Sequence, residues 1–146
     1  MKALSAWIVL GVLSCAAAPA EETVASPSLQ AIVDRIAAAH PEIARLSIHA
    51  VPAGGKELQI VASTVAGRIG ERSDPEDLDA SRTGRVIEMK EGHNLDYTAP
   101  VQDAAGKTMA VVGVTISGAG GTSDEELRVK AKAVAAETAA AIRSAG

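Results

Sequence analysis

Large aromatic rings are almost missing from this sequence. Its 146 residues include no phenylalanine, one tryptophan and one tyrosine. Trp7 falls in an N-terminal apolar run, which leaves Tyr97 as the one aromatic of the remaining chain. Aromatic rings normally supply much of a core's buried area. A core without them must be packed from Val, Ile, Leu, Met and Ala, and it offers little stacking surface to a flat ligand.

Cysteine is equally scarce. The single Cys15 excludes an intrachain disulfide as a source of stability. The three histidines, His40, His49 and His93, share no metal-ligand spacing, and no cysteine joins them beyond residue 20. No metal and no cofactor is therefore expected. There is no G-x-S-x-G elbow and no Walker lysine, so no catalytic residue is expected and a non-enzymatic role follows. A basic surplus is also absent: 14 Lys and Arg stand against 18 Asp and Glu, a net charge of −4. Nucleic-acid binding needs a basic surface that displaces counterions, and none is offered here. No apolar run reaches the length of a membrane span.

What is present begins with an export-type leader. Lys2 precedes the apolar run Ala6 to Leu13, and Ala18-Pro19-Ala20 places small residues where a signal peptidase cuts. Residues 1–20 are expected to be a signal peptide, 21–27 a linker and 28–146 one folded domain, periplasmic after export. The sequence Val12-Leu13-Ser14-Cys15 resembles a lipobox, which makes Cys15 a candidate lipidation site and lipid anchoring the alternative to free secretion.

The folded part alternates helical and extended patterns. Leu29, Ile32, Val33, Ile36 and Ala37 fall on one helical stripe, with Ser26 or Ser28 as cap and Pro41 as stop. Leu46, Ile48 and Ala50 alternate with Arg45, Ser47 and His49, which predicts a half-buried strand with His49 facing solvent. Leu58, Ile60 and Ala62 alternate next, with Val61 breaking the pattern. Residues 73–84 form a short helix, with Pro75 in its first turn and Gly84 at its end; its acidic start, Asp-Pro-Glu-Asp-Leu-Asp, is expected to be solvated. Two more strands follow, and Pro100 argues against an inner place for the second of them. Ser123 with Glu126 fits a capping box. Leu127, Ala131, Val134, Ala135, Thr138 and Ile142 then stripe a long terminal helix. The glycine-rich turn ahead of it faintly resembles a phosphate loop, but Asp124, Glu125 and Glu126 would repel phosphate from its amides.

Between these lies Met109 to Ser117, apolar at nearly every position. A strand apolar on both sides is covered on both sides. It belongs in the middle of the sheet, with the long helices on one face and the connection Thr64–Gly84 on the other. A sheet covered by an irregular connection is a usual place for a small-molecule cavity. The fold class is thus α+β: a single domain with an antiparallel sheet of about five strands, long N- and C-terminal helices and a short connecting helix.

An ordered set of short motifs accompanies this pattern: Ala62-Ser63, Ile69-Gly70, Ser73-Asp74, Pro100-Val101, Asp103, Gly106-Lys107 and Gly113-Val114. Together they resemble the extracytoplasmic Cache sensor domains, relatives of PAS domains, over residues 28 to 117. The resemblance implies a PAS-like sheet with a ligand pocket used to sense small molecules. Family members usually sit in receptors with membrane helices and a transmitter, and this chain carries neither. It also has Thr115 where amine-binding members carry an aspartate. The expected ligand-binding residues are Thr64, Arg68, Arg82, Arg85, His93, Tyr97 and Thr115, the arginines as carboxylate grips. Partners would be a small molecule and a protein partner or second copy of the chain. The alternative is a structural or protein-interaction domain that keeps the fold without a working pocket.

Overall fold

The computed structural model describes residues 24–146. The expected leader, its cleavage site, Cys15 and the first linker positions lie outside the described residues. The order is α1 (Pro27–Ala39), β1 (Ile43–Ala50), β2 (Gln59–Ser63), a 3₁₀ turn at Ala66–Arg68, α2 (Pro75–Thr83), β3 (Ile87–Glu91), β4 (Asn94–Gln102), β5 (Thr108–Ile116) and α3 (Asp124–Ala145). The five strands form one antiparallel sheet in the order β2-β1-β5-β4-β3. This is the α+β architecture read from the sequence, with β5 at its centre.

Cross-strand neighbours point to the same face of a sheet, so the register sorts the side chains into two layers. Leu46, Val114 and Tyr97 form one row, and Ile48, Val112 and Ala99 the next. These rows meet α1 and α3, and they belong to one buried cluster with Ile32, Val33, Ile36, Leu127, Ala131, Val134 and Ile142. The helix stripes read from the sequence are the buried stripes found. Thr138, the polar member, is fully buried and donates to the Val134 carbonyl at 2.8 Å. Ser123 accepts from the Glu126 amide while the Glu126 carboxylate accepts from the Ser123 amide, so α3 starts on its capping box. At α1, Ser26 holds the cap position but its side chain caps nothing.

Val61, the break in the alternation of β2, sits where the β1–β2 register slips between Ile48 and His49. The slip is a bulge, and it lets Val61 and Ala62 both enter the helix-side core. The Val61 carbonyl accepts from the Ser26 amide at 2.9 Å, which ties α1 to this point. Pro100 does not keep β4 at the edge: β4 lies between β5 and β3. It is tolerated because β3 pairs only with residues 94–98 of β4, so at Pro100 the strand has β5 as its sole neighbour.

The opposite face of the sheet is covered too. Residues 70–73 are pinned along β2: the Ile60 amide donates to Glu71, Gly70 to Ile60, and Ser73 to Leu58. Helix α2 then crosses beneath β4 and β5. Among the described residues, no helix is long and apolar enough to cross a membrane.

Candidate functional site

Under α2 the sheet presents polar rather than apolar rows. Arg45, Thr115 and Asp96 are paired across β1, β5 and β4, and Ser47, Gly113 and Thr98 form the row beside them. Gly113 is the one residue of the central row without a side chain. A Cβ there would lie 3.4 Å from His49 Nε2 and 3.9 Å from Asp77 Oδ1. Its absence leaves a small chamber between the sheet and α2, with a volume of about 30 Å³.

His49 and Asp77 are the centre of this chamber, and both correct the sequence reading. His49 was expected in solvent and Asp77 at a solvated helix start; they are 4% exposed each. The alternation in β1 is real, but its polar side faces α2 instead of water. His49 Nδ1 lies 2.8 Å from Ser73 Oγ and 3.4 Å from Asp77 Oδ2. Asp77 Oδ2 also accepts from the Asp74 amide at 3.0 Å, the helix-start bond of α2. Burial, joined by the nearby Arg68 charge, lowers His49 to about 4. Burial raises Asp77 to about 7. Each group alone resists charge, and between those values the two hold one proton between them. No hydrogen bond within the described residues engages His49 Nε2, Asp77 Oδ1 or Thr98 Oγ1, and all three residues border the open volume of the chamber; the one fully enclosed side-chain atom without a partner among the described residues is Gln59 Oε1, outside the chamber.

The other charges of the chamber are paired, apart from that of Glu76. Arg68 reaches Glu71 at 2.9 Å and Asp74 at 3.2 Å. Arg45 lies 3.4 Å from Asp96, which also accepts from the Thr115 hydroxyl. At the rim, the Asp96 carboxylate holds the Glu91 carboxyl above its usual range.

Of the expected ligand-binding residues, the chamber gathers Arg68 and Thr115. Tyr97 touches it only from behind. Its row with Leu46 and Val114 and its place in the helix-side cluster put the ring on the other face of the sheet. Thr64 is exposed and closes the end of the β1–β2 ladder, accepting from the Leu46 amide at 3.1 Å. Arg82 pairs with Asp79 on the outer side of α2, and Arg85 is exposed in the link to β3. His93 is exposed in the β3–β4 turn and borders a separate surface hollow with the Gly118–Thr122 loop. Sequence reasoning missed His49, Ser73, Asp77 and Thr98 as neighbours of one space. The available signal was Gly113: a glycine inside a strand marks a close approach. No group of three or more His, Cys, Asp or Glu among the described residues could hold a metal ion.

No protein-family model matches the chain, and no curated protein sequence is significantly similar to it. Solved structures are similar in fold. The GAF domain of A. aeolicus nlh2, in an inactive state, gives a TM-score of 0.57 at 9% identity, covering 82% of this chain and 98% of that one. The GAF domain of an Acinetobacter phosphoenolpyruvate-protein phosphotransferase gives 0.53 at 17%, covering 80% and 81%. A GAF domain/HD domain protein from Geobacter sulfurreducens gives 0.52 at 8%, covering 80% and 92%. The chain therefore has a GAF/PAS-like α+β fold.

Proposed function

We propose that this domain is a non-enzymatic sensing module that takes a small polar molecule into the chamber between the sheet and α2. One observation carries the reading: polar side-chain atoms of His49, Asp77 and Thr98 that make no hydrogen bond within the protein converge on a space that Gly113 keeps open. Polar groups around a nearly enclosed space cost stability unless something bonds them, and a fold kept only for its shape would have filled that space with apolar side chains. The likeness to GAF domains supports the same reading. The chamber is smaller than the roughly 300–1,000 Å³ of a drug-sized site, so larger ligands require α2 to swing away from its anchored start at residues 70–73. Such a movement changes what α2 shows a protein partner.

The same small volume favours a second reading, a structural or interaction domain whose pocket is closed. A thermal-shift screen over amides, carboxylates, amines, sugars and purines separates the two. A ligand raises the melting temperature with the logarithm of its free concentration above the dissociation constant; silence across the library supports the closed domain. Export to the periplasm, with Cys15 as lipid anchor or with cleavage after Ala20, belongs to the proposal, as does kinship with extracytoplasmic Cache domains. Mass spectrometry of the mature N-terminus decides between the two processing routes.

A further inference from the structure

The geometry points to a carboxamide edge as the group recognised above Gly113: His49 Nε2 and Asp77 Oδ1 grip adjacent carbonyl and N–H groups of one small neutral molecule. This rests on the small-molecule reading above and gives it a ligand class.

Three observations lead there. First, two unpartnered atoms from different elements aim at one point. His49 comes from β1 and Asp77 from α2, and both come within 4 Å of the place a Gly113 Cβ would occupy. The His49 side chain is only 5% exposed. Thr98 stands next to Gly113 in the same row and adds a hydroxyl that can donate or accept. Second, the interior charges are matched apart from the half-buried Glu76. Arg45 is matched by Asp96, and Arg68 by Glu71 and Asp74. His49 and Asp77 share a single proton, so together they carry no net charge. An anion would enter against Asp74 and Glu76, and a cation would find only the half-buried Glu76 unmatched. A neutral guest meets neither cost. Third, with one hydrogen lying between His49 Nδ1 and Asp77 Oδ2, 3.4 Å apart, the remaining one sits on Nε2 or Oδ1, so the pair offers one donor and one acceptor to the chamber. The complement is a group with one acceptor beside one donor, as in a primary amide. A volume of about 30 Å³ accommodates about two waters, the space of a –CONH₂ group.

The test uses three probes of one shape: acetamide, acetate and acetamidinium, neutral, anionic and cationic. Each is titrated into ¹⁵N-labelled protein at a pH of about 5.5, between the two titrations of the pair. The Gly113 amide and the His49 ring nitrogens are followed by NMR. Acetamide is expected to move both, and to bind about tenfold or more tightly than either charged isostere, since each of those leaves a donor or an acceptor unmatched. Gly113→Ala should abolish the response by placing a methyl where the amide sits. Thr98→Val, a milder change, should weaken it and covers the case in which Gly113→Ala does not fold. Equal or tighter binding of acetate or acetamidinium at Gly113 would overturn the carboxamide assignment and leave the small-molecule reading standing. So would a response to acetamide that survives both variants, or a screen ligand found when none of the three probes acts. Silence of the probes together with silence of the whole screen would remove both.

Discussion

Replacing one member of the buried pair should reveal a pH dependence that the native protein conceals. Asp77 ionises near 3.8 in an unfolded chain and near 7 in the fold. Between those values the folded state keeps a proton that the unfolded state has released. Its contribution to stability is full below 3.8 and is lost as pH rises through 7. The span of about three pH units, at about 1.4 kcal/mol each, comes to roughly 4 kcal/mol. His49 behaves in the opposite sense. It takes a proton near 6.5 when unfolded and only near 4 when folded, so its contribution is full above 6.5 and is lost as pH falls through 4, by roughly 3 kcal/mol. In the native protein these slopes cancel. Between about 4 and 6.5 the pair holds one proton in the folded and the unfolded state alike. His49→Gln leaves Asp77 in the same burial, so relative to wild type its stability should fall from about pH 4 to 6.5, the window of the lost His49 contribution. Asp77→Asn leaves His49 buried, so relative to wild type its stability should rise from about pH 4 to 7, the window over which wild type loses the Asp77 contribution. Urea unfolding at half-unit pH steps measures both difference curves. The reasoning fails if the two curves run parallel, or if either variant tracks wild type across the window.

Other consequences are open to direct measurement. His40 bonds Glu137 of α3 at 2.8 Å, and that bond, with Glu42 nearby, raises its pKa; the advantage of wild type over His40→Gln should be full below pH 6.5 and vanish as pH rises through the folded value, as seen in thermal melts. Ile116→Ala, at a fully buried site of the central strand, should cost about 2–5 kcal/mol in chemical denaturation. A Cβ on Gly118 would collide with the His93 carbonyl, so Gly118→Ala should raise amide exchange throughout the β3–β4 turn; unchanged protection there would show that the close approach is not required. Ser123→Ala removes the cap of α3 and should cost about 1 kcal/mol in the same unfolding assay.

The scaffold was largely legible before any coordinates. The stripe of α3, the capping box at Ser123 and the double-sided apolar run of β5 each have one physical solution, and that solution is the one found. The chamber was not legible, because alternation reports which residues are polar and not what lies opposite them. Arg45, Ser47 and His49 look the same whether the far side is water or α2. Tyr97 failed for a related reason. A sheet covered on both faces gives no sign of which cover a row will meet. Asp77 looked like any acid in a helix's first turn, and only the packing of α2 against the sheet distinguishes it from exposed Glu71.

Residues 113 and 115 of β5 look into the chamber, while 112, 114 and 116 look toward α1 and α3, the two helices closest to the ends of the described chain. One extended peptide is therefore the whole thickness of material between whatever occupies the space above Gly113 and the seam where those helices meet. A shift of that backbone by a fraction of an ångström on one side is felt immediately by Val112 and Val114 on the other, with no intervening layer to absorb it.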